Sequence, residues 1–141
     1  MSPTSAQIVG AARAFLGTPY RHRASTRGAG CDCLGLVRGV WRELYGDEPT
    51  AVPNYRADGR DLPDALRQAA ERFLVPVAGA PGAGHVVLFR LGRQPAPRHC
   101  GIMVSASRFV HAQERLGVVE GNLTDGWQRR LAGIFAFPER P

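Results

Sequence analysis

Apolar positions in the first half of the chain recur three or four apart; in the second half they fall into short runs. Ile8, Ala12, Phe15 and Leu16 share one face of a helix running to about Leu16. Thr4 with Gln7 three residues on forms a capping box at its start, and Gly17 ends it. A turn at Gly17-Thr18-Pro19-Tyr20 and a basic loop, Arg21 through Gly30, lead to a second helix. In that helix Val37, Val40, Trp41 and Leu44 give the buried face, Asp32 is placed to cap the start, and Gly46 to terminate it. Residues 47–60 hold two prolines and little periodicity, and read as loop. A third helix opens at Asp61-Leu62-Pro63 and carries Leu66, Ala69, Ala70 and Phe73 on one face. Residues 75–84, rich in Pro, Gly and Ala, read as a connector.

From His85 the pattern changes to strands. Val86–Phe89, Gly101–Val104, Phe109–Ala112, Gly117–Glu120 and Ile134–Phe137 are apolar runs separated by turn residues. Helices first and strands second predict an α+β domain, with N-terminal helices packed on a small antiparallel sheet of about five strands. No internal repeat and no linker divides the chain, so residues 1–141 are expected to form one domain.

Composition narrows the class. Hydrophobic residues make up 44% of the chain and charged ones 21%, the balance of a globular protein. No apolar run approaches the length of a membrane span, so membrane insertion is not expected. Met1 to Gly17 lacks the charged start and continuous apolar core of a secretory signal, which predicts synthesis in the cytoplasm without a signal peptide. The net charge is +6 and all 18 basic residues are arginines, spread along the chain. That spread argues against a dedicated nucleic-acid surface, while a basic exterior favours approach to an anionic polymer. Three cysteines are an odd number, and Cys31 and Cys33 are too close for a comfortable bridge, so a free thiol is expected.

The thiol with the most distinctive setting is Cys33. In the first turn of a helix it meets unpaired backbone N–H groups and the positive end of the helix dipole, and both favour thiolate. A cysteine nucleophile needs a base beside the sulfur and a group to orient that base. His99 opens one predicted strand, and His111 lies on the next, twelve residues later. A hairpin turning near 105–107 would place the two side by side at the same level of the sheet; the parity is compatible with that, while the pairing register is not fixed by sequence. Cys100 then points to the opposite face and reads as core. Cys31 reads as a bystander, and His22 and His85 as surface or structural residues. Cys31, Cys33, His99, Cys100 and His111 are all zinc-ligand types, but their spacing lacks the paired knuckles of a structural zinc site, and no metal or other cofactor is expected.

Four segments in order carry a family resemblance: Gly17-Thr18-Pro19-Tyr20-Arg21, Asp32-Cys33-Leu34-Gly35-Leu36-Val37, His99-Cys100-Gly101-Ile102-Met103-Val104 and Phe109-Val110-His111-Ala112. Together they resemble the NlpC/p-sixty family of bacterial cell-wall cysteine peptidases. The resemblance implies a reduced papain-like fold with Cys33 as nucleophile, His99 as general base, His111 as orienting residue and Tyr20 beside the sulfur at the oxyanion. It implies bacterial peptidoglycan as substrate, with the bond between D-γ-glutamate and the diamino acid as the expected target. Asp32 and Arg21 are the expected substrate-binding residues, Arg21 because an arginine fork beside the cleft suits substrate carboxylates.

Tyr20-Arg21-His22, Gly30–Leu36 and Trp41–Gly46 are further similar to the branch found in phage tails and gene transfer agents. That implies tail or baseplate proteins as partners, and a chain carried on a phage-like particle to the cell wall. The sequence departs from the family pattern at Leu34, where serine is usual, at His85, where aspartate is usual, and at Cys100, where an aliphatic residue is usual. A structural tail subunit with little catalysis, and a cell-wall amidase on the same fold, are the alternatives.

Overall fold

The computed structural model describes residues 2–49 and 64–139. Helix α1 spans Ser5–Arg13 and α2 Cys33–Tyr45, with a two-stranded ribbon, β1 (Ser25–Thr26) and β2 (Gly30–Cys31), between them. After α3 (Ala65–Phe73) come β3 (Val75–Pro76), β4 (Val86–Phe89), β5 (His99–Met103), β6 (Arg108–Gln113) and β7 (Gly117–Asn122). Helix α4 (Asp125–Arg130) and strand β8 (Leu131–Ala136) complete the order. The main sheet is antiparallel in the order β3-β8-β4-β5-β6-β7.

The helix ends follow local chemistry. The Thr4 hydroxyl accepts from Gln7 N at 3.1 Å while Thr4 N donates to Gln7 Oε1 at 2.9 Å, a closed capping box. The helix stops at Arg13, not Leu16: Phe15 N and Leu16 N donate to the carbonyls of Ala12 and Arg13, tightening the chain into a turn. Gly46, at φ +93°, closes α2 by donating to Arg42 O at 2.8 Å. The first described helical residue of α3 is Ala65, and the expected start at Asp61–Pro63 lies outside the described residues, as does most of the expected loop 47–60.

The strands carry continuous apolar runs because the sheet is covered on both faces. Val86, Leu88, Cys100, Ile102, Val110, Ala112 and Val118 pack towards α1 and α2 with Ile8, Phe15, Leu36 and Val40. Val87, Phe89, Met103 and Phe109 face the other way, against Leu123, Trp127 and Leu131. The ribbon β1–β2 and three features of the main sheet's half escaped the sequence pattern. Val75–Pro76, expected as connector, pairs with Ala136 and Phe135 as a sixth, edge strand, where a missing proline N–H is tolerated. Strand β8 begins at Leu131 instead of Ile134. The polar stretch Asp125–Arg130 is a short helix, capped by the Thr124 hydroxyl accepting from Trp127 N at 3.3 Å. Among the described residues no helix is long and apolar enough to cross a membrane.

Candidate active site

Cys33 stands in the first turn of α2, and Asp32 sets the approach to it. Gly35 N donates to Asp32 Oδ1 at 2.7 Å and Arg23 N to Oδ2 at 2.6 Å, with His22 Nδ1 3.9 Å from Oδ2. The carboxylate is 2% exposed. Expected in substrate binding, it is instead engaged by two backbone N–H groups that fix the helix start and the basic loop. The loop lies close on the helix: Asp32 N donates to Ala24 O at 3.2 Å, and Ser25 Oγ to Gly35 O at 2.6 Å.

The segment that bears Tyr20 is bound to the residues just before the helix. Tyr20 bridges Cys31 in parallel register, with Cys31 N donating to Pro19 O at 2.9 Å and Arg21 N to Cys31 O at 3.2 Å. Burial raises the Tyr20 phenol far above its usual range, helped by charge on Cys33 and Asp32, so the hydroxyl keeps its proton and can donate. Arg21 is exposed, its side chain lying over Gly30.

His99 and His111 meet as donor and acceptor, with His99 Nε2 and His111 Nδ1 2.8 Å apart. The two were expected side by side, whereas the register is diagonal. Ile102 pairs with Val110 and Met103 with Phe109, which sets Gly101 opposite His111. A Cβ on Gly101 would lie 3.1 Å from His111 Cβ and 2.9 Å from Phe109 Cδ2, so glycine there admits the two rings. Burial, and then the charge of His99, lower His111 to about 3. His111 is therefore neutral at any working pH.

The Cys33 thiol is held well below its ordinary value, first by a hydrogen bond from the Cys100 thiol, then by a hydrogen bond to His99 and its charge, against the cost of burial. Cys100 is itself raised by the same contact and by burial, so it remains the thiol of the two. Its Sγ also lies 3.2 Å from Cys33 O. Cys100 is core on the face opposite His99, as expected, but it touches the site as well, because the N-terminus of α2 sits over the start of β5. Cys31 is buried with its Sγ 3.1 Å from Asp32 O, and burial pushes it up to about 12.

Alkylation with iodoacetamide at about pH 6 should therefore modify Cys33 about tenfold faster than either other cysteine, and its rate should fall only at distinctly lower pH. Peptide mass spectrometry reads this, and equal slow labelling at all three would contradict a thiolate at Cys33.

Trp127 is the site residue that the sequence reading missed. Its ring stacks on His99 at 5.5 Å between centroids and presents an edge to His111 at 5.3 Å, covering the bond between them. Phe89 packs at 4.8 Å from Trp127, and the Arg130 guanidinium lies over the indole at 5.6 Å. A single tryptophan in an otherwise polar stretch was the available signal. Leu34, where serine was expected, lines an apolar cavity of about 130 Å³ between α2, α3 and the sheet, with Val37, Trp41, Leu66 and Phe73. His85 accepts from Gly82 N at 2.9 Å through Nδ1, away from the cluster. Among the described residues no three His, Cys, Asp or Glu side chains form a group able to hold a metal ion.

A thiol at a helix N-terminus, an imidazole beside it and a second imidazole behind can together make and use a sulfur nucleophile. The chain is similar to several known proteins. The chain is 30% identical over 115 residues to the murein DD-endopeptidase MepS/murein LD-carboxypeptidase of Escherichia coli K12, covering 81% of this chain and 53% of that protein. It is 31% identical over 134 residues to the gamma-DL-glutamyl hydrolase of Bacillus subtilis, covering 92% of this chain and 29% of that one. The chain thus spans about half the length of the first relative and less of the second. In fold it superposes on an NlpC/P60 family protein from Bacillus cereus with a TM-score of 0.69 at 18% identity, covering 100% of this chain and 42% of that one. The NlpC/p60 domain of the peptidoglycan hydrolase SagA gives a TM-score of 0.59 at 23% identity, covering 96% of this chain and 99% of that one. These matches identify the α+β core as the papain-like architecture. The NlpC/P60 family model matches residues 17–136, a span that holds Tyr20, Cys33, His99 and His111, and the chain belongs to the NlpC/P60 family.

Proposed function

We propose that the chain is a cysteine endopeptidase of peptidoglycan stem peptides, cutting the bond between D-γ-glutamate and the diamino acid. The observation that carries this is the line of Cys33, a lowered thiol, with His99 beside it and His111 2.8 Å behind. Cys33 Sγ, as thiolate paired with the His99 imidazolium, attacks the amide carbonyl carbon. The Tyr20 hydroxyl and the Cys33 backbone N–H stabilise the oxyanion of the tetrahedral intermediate. As the C–N bond breaks, His99 gives its proton to the leaving amine, and a thioester remains on Cys33. His99 then takes a proton from water, whose oxygen displaces the sulfur and frees the carboxylate. Trp127 keeps bulk water from the imidazole pair. Arg21, exposed on the loop that bears Tyr20, is suited to stem-peptide carboxylates.

The choice of bond is supported by a relative named a gamma-DL-glutamyl hydrolase. The similarity of Tyr20-Arg21-His22 and Gly30–Leu36 to the phage-tail and gene-transfer-agent branch supports a tail-borne enzyme. In that setting the chain is carried on a phage-like particle, is held by tail or baseplate proteins, and opens the wall locally.

Digestion of purified peptidoglycan, with products identified by mass spectrometry, tests the reaction. L-Ala-D-Glu fragments with a new diamino-acid amine are the expected products. Free muramic acid termini would reassign the enzyme as an amidase, and unchanged murein would refute hydrolysis. Immunoblotting of purified tail particles tests the carrier, and a chain absent from them would remove that part of the proposal.

A further inference from the structure

Neither the resemblance nor the proposed reaction assigns a role to Gln113, the last residue of β6. It stands two residues after His111, so both side chains leave the same face of the strand. Gln113 Nε2 lies 3.1 Å from His111 Nε2. Its backbone is pinned by pairing with Gly117 and by Leu116 N donating to Gln113 O at 3.2 Å. Three side chains therefore run in series: Gln113, His111 and His99.

The protons along this series are constrained. A neutral imidazole carries one N–H, and its tautomer is set by the partners at each nitrogen. With His99 Nε2 facing His111, the Nδ1 of His99 is left for Cys33. To take a proton from the thiol, His99 needs a lone pair on Nδ1 and so must carry its hydrogen on Nε2. As imidazolium it carries both. In either state His99 Nε2–H donates, His111 Nδ1 must accept, and the single hydrogen of His111 must be on Nε2. Only an acceptor can receive that hydrogen. An amide can turn either end to the same position: its Oε1 accepts the His111 hydrogen, whereas its NH₂ fits the opposite tautomer. With NH₂ towards His111, the hydrogen of His111 moves to Nδ1, and neutral His99 is left with its lone pair turned away from the sulfur.

We infer that Gln113 is a positioning residue, whose side-chain oxygen fixes His111 and, through it, His99 in the tautomer that can serve Cys33. The inference rests on the proposed cysteine-peptidase reading. The structure places the amide nitrogen at His111, the idle arrangement, and half a rotation of the Gln113 amide brings Oε1 to the same position and makes the relay competent. The low basicity of His111 fits this role, because a neutral ring passes on tautomeric information without taking the proton.

Two variants of similar reach separate the amide's two ends. Gln113→Glu offers only acceptor oxygens when ionised, and is expected to keep kcat/KM within about threefold of wild type. Gln113→Lys offers only donors, and is expected to lose about a hundredfold or more in kcat while KM changes little, as wrong-tautomer variants of other triads do. Ring ¹⁵N shifts of labelled histidine should show His111 protonated at Nε2 in wild type and Gln113→Glu, and at Nδ1 in Gln113→Lys. The alkylation rate of Cys33 reads the same relay without peptidoglycan. Equal kcat/KM in the two variants, or His111 protonated at Nδ1 in wild type, would overturn the inference. Wild-type protein inert on peptidoglycan but showing these tautomers would refute the proposed reaction alone.

Discussion

Cys33→Ala should reduce peptidoglycan hydrolysis to background, a loss of about four orders of magnitude or more in kcat/KM. The size follows from the step removed: without the sulfur there is no covalent intermediate, and the remaining oxyanion donors have no attacking atom to serve. The fold should not notice. Cys33 is half-buried at a helix N-terminus whose cap is made by Asp32, and alanine is a good helix former. A melting midpoint close to wild type alongside abolished product release is the expected pair of results, read by calorimetry and mass spectrometry. Retained hydrolysis by Cys33→Ala would discard the covalent mechanism, and a large loss of stability would make the activity result uninformative. Cys33→Ser, with a hydroxyl far less acidic than this thiol, should be almost as inactive.

Gly35→Ala should be the costliest small change to the structure. A Cβ at Gly35 would run into the backbone carbonyl of Ala24, with Asp32 Oδ1 3.0 Å away. Neither atom can give way cheaply, because Ala24 O accepts from Asp32 N and Asp32 Oδ1 accepts from Gly35 N. A loss of roughly 3 kcal/mol is expected, the upper end for overpacking. The loop that positions Tyr20 should be displaced with it. Gly10 supplies the contrast: it is exposed on α1 with nothing within 4 Å of an added Cβ. Gly10→Ala should stabilise by about 0.5–1 kcal/mol through helix propensity. Denaturant melts of both variants decide the matter, and equal effects would show that the loop does not dock on α2 as described.

The parts of this design readable from sequence are those set by neighbouring residues. Thr4 with Gln7, Asp32 before Cys33, and Gly46 after Tyr45 are local signals, and each cap forms where expected. A hairpin turning near 105–107 suggested His99 and His111 side by side on one face; their parity is compatible with a shared face but does not fix it, since a one-residue slip in register would turn one of them over. The diagonal pairing across Gly101 was hidden, since it depends on which residues of β5 and β6 oppose each other. Asp32 was read as a helix cap and as a substrate-binding residue, while its backbone partner Arg23 N belongs to a loop that only folding brings near. Cys100 was assigned correctly to the core, yet its contact with Cys33 joins residues 67 positions apart. Helix α4 shows no apolar stripe, and Trp127 gains its meaning only from the rings beneath it.

The segment bearing Tyr20 is tied to β7 by two backbone bonds, Gly17 N to Val118 O at 3.0 Å and Val118 N to Thr18 O at 2.9 Å. Gly117, at φ +79°, has no Cβ to push against Thr18 O, which lets the two strands close. These bonds join positions about a hundred residues apart, so neither can form until β7 has been made. During synthesis the ribosome therefore releases Cys33 before Tyr20 has its anchor and before His99 and His111 exist. At that stage the nascent chain carries two thiols, Cys31 and Cys33, and the chemistry of the sulfur switches on only when the final third of the polypeptide has emerged and closed over it.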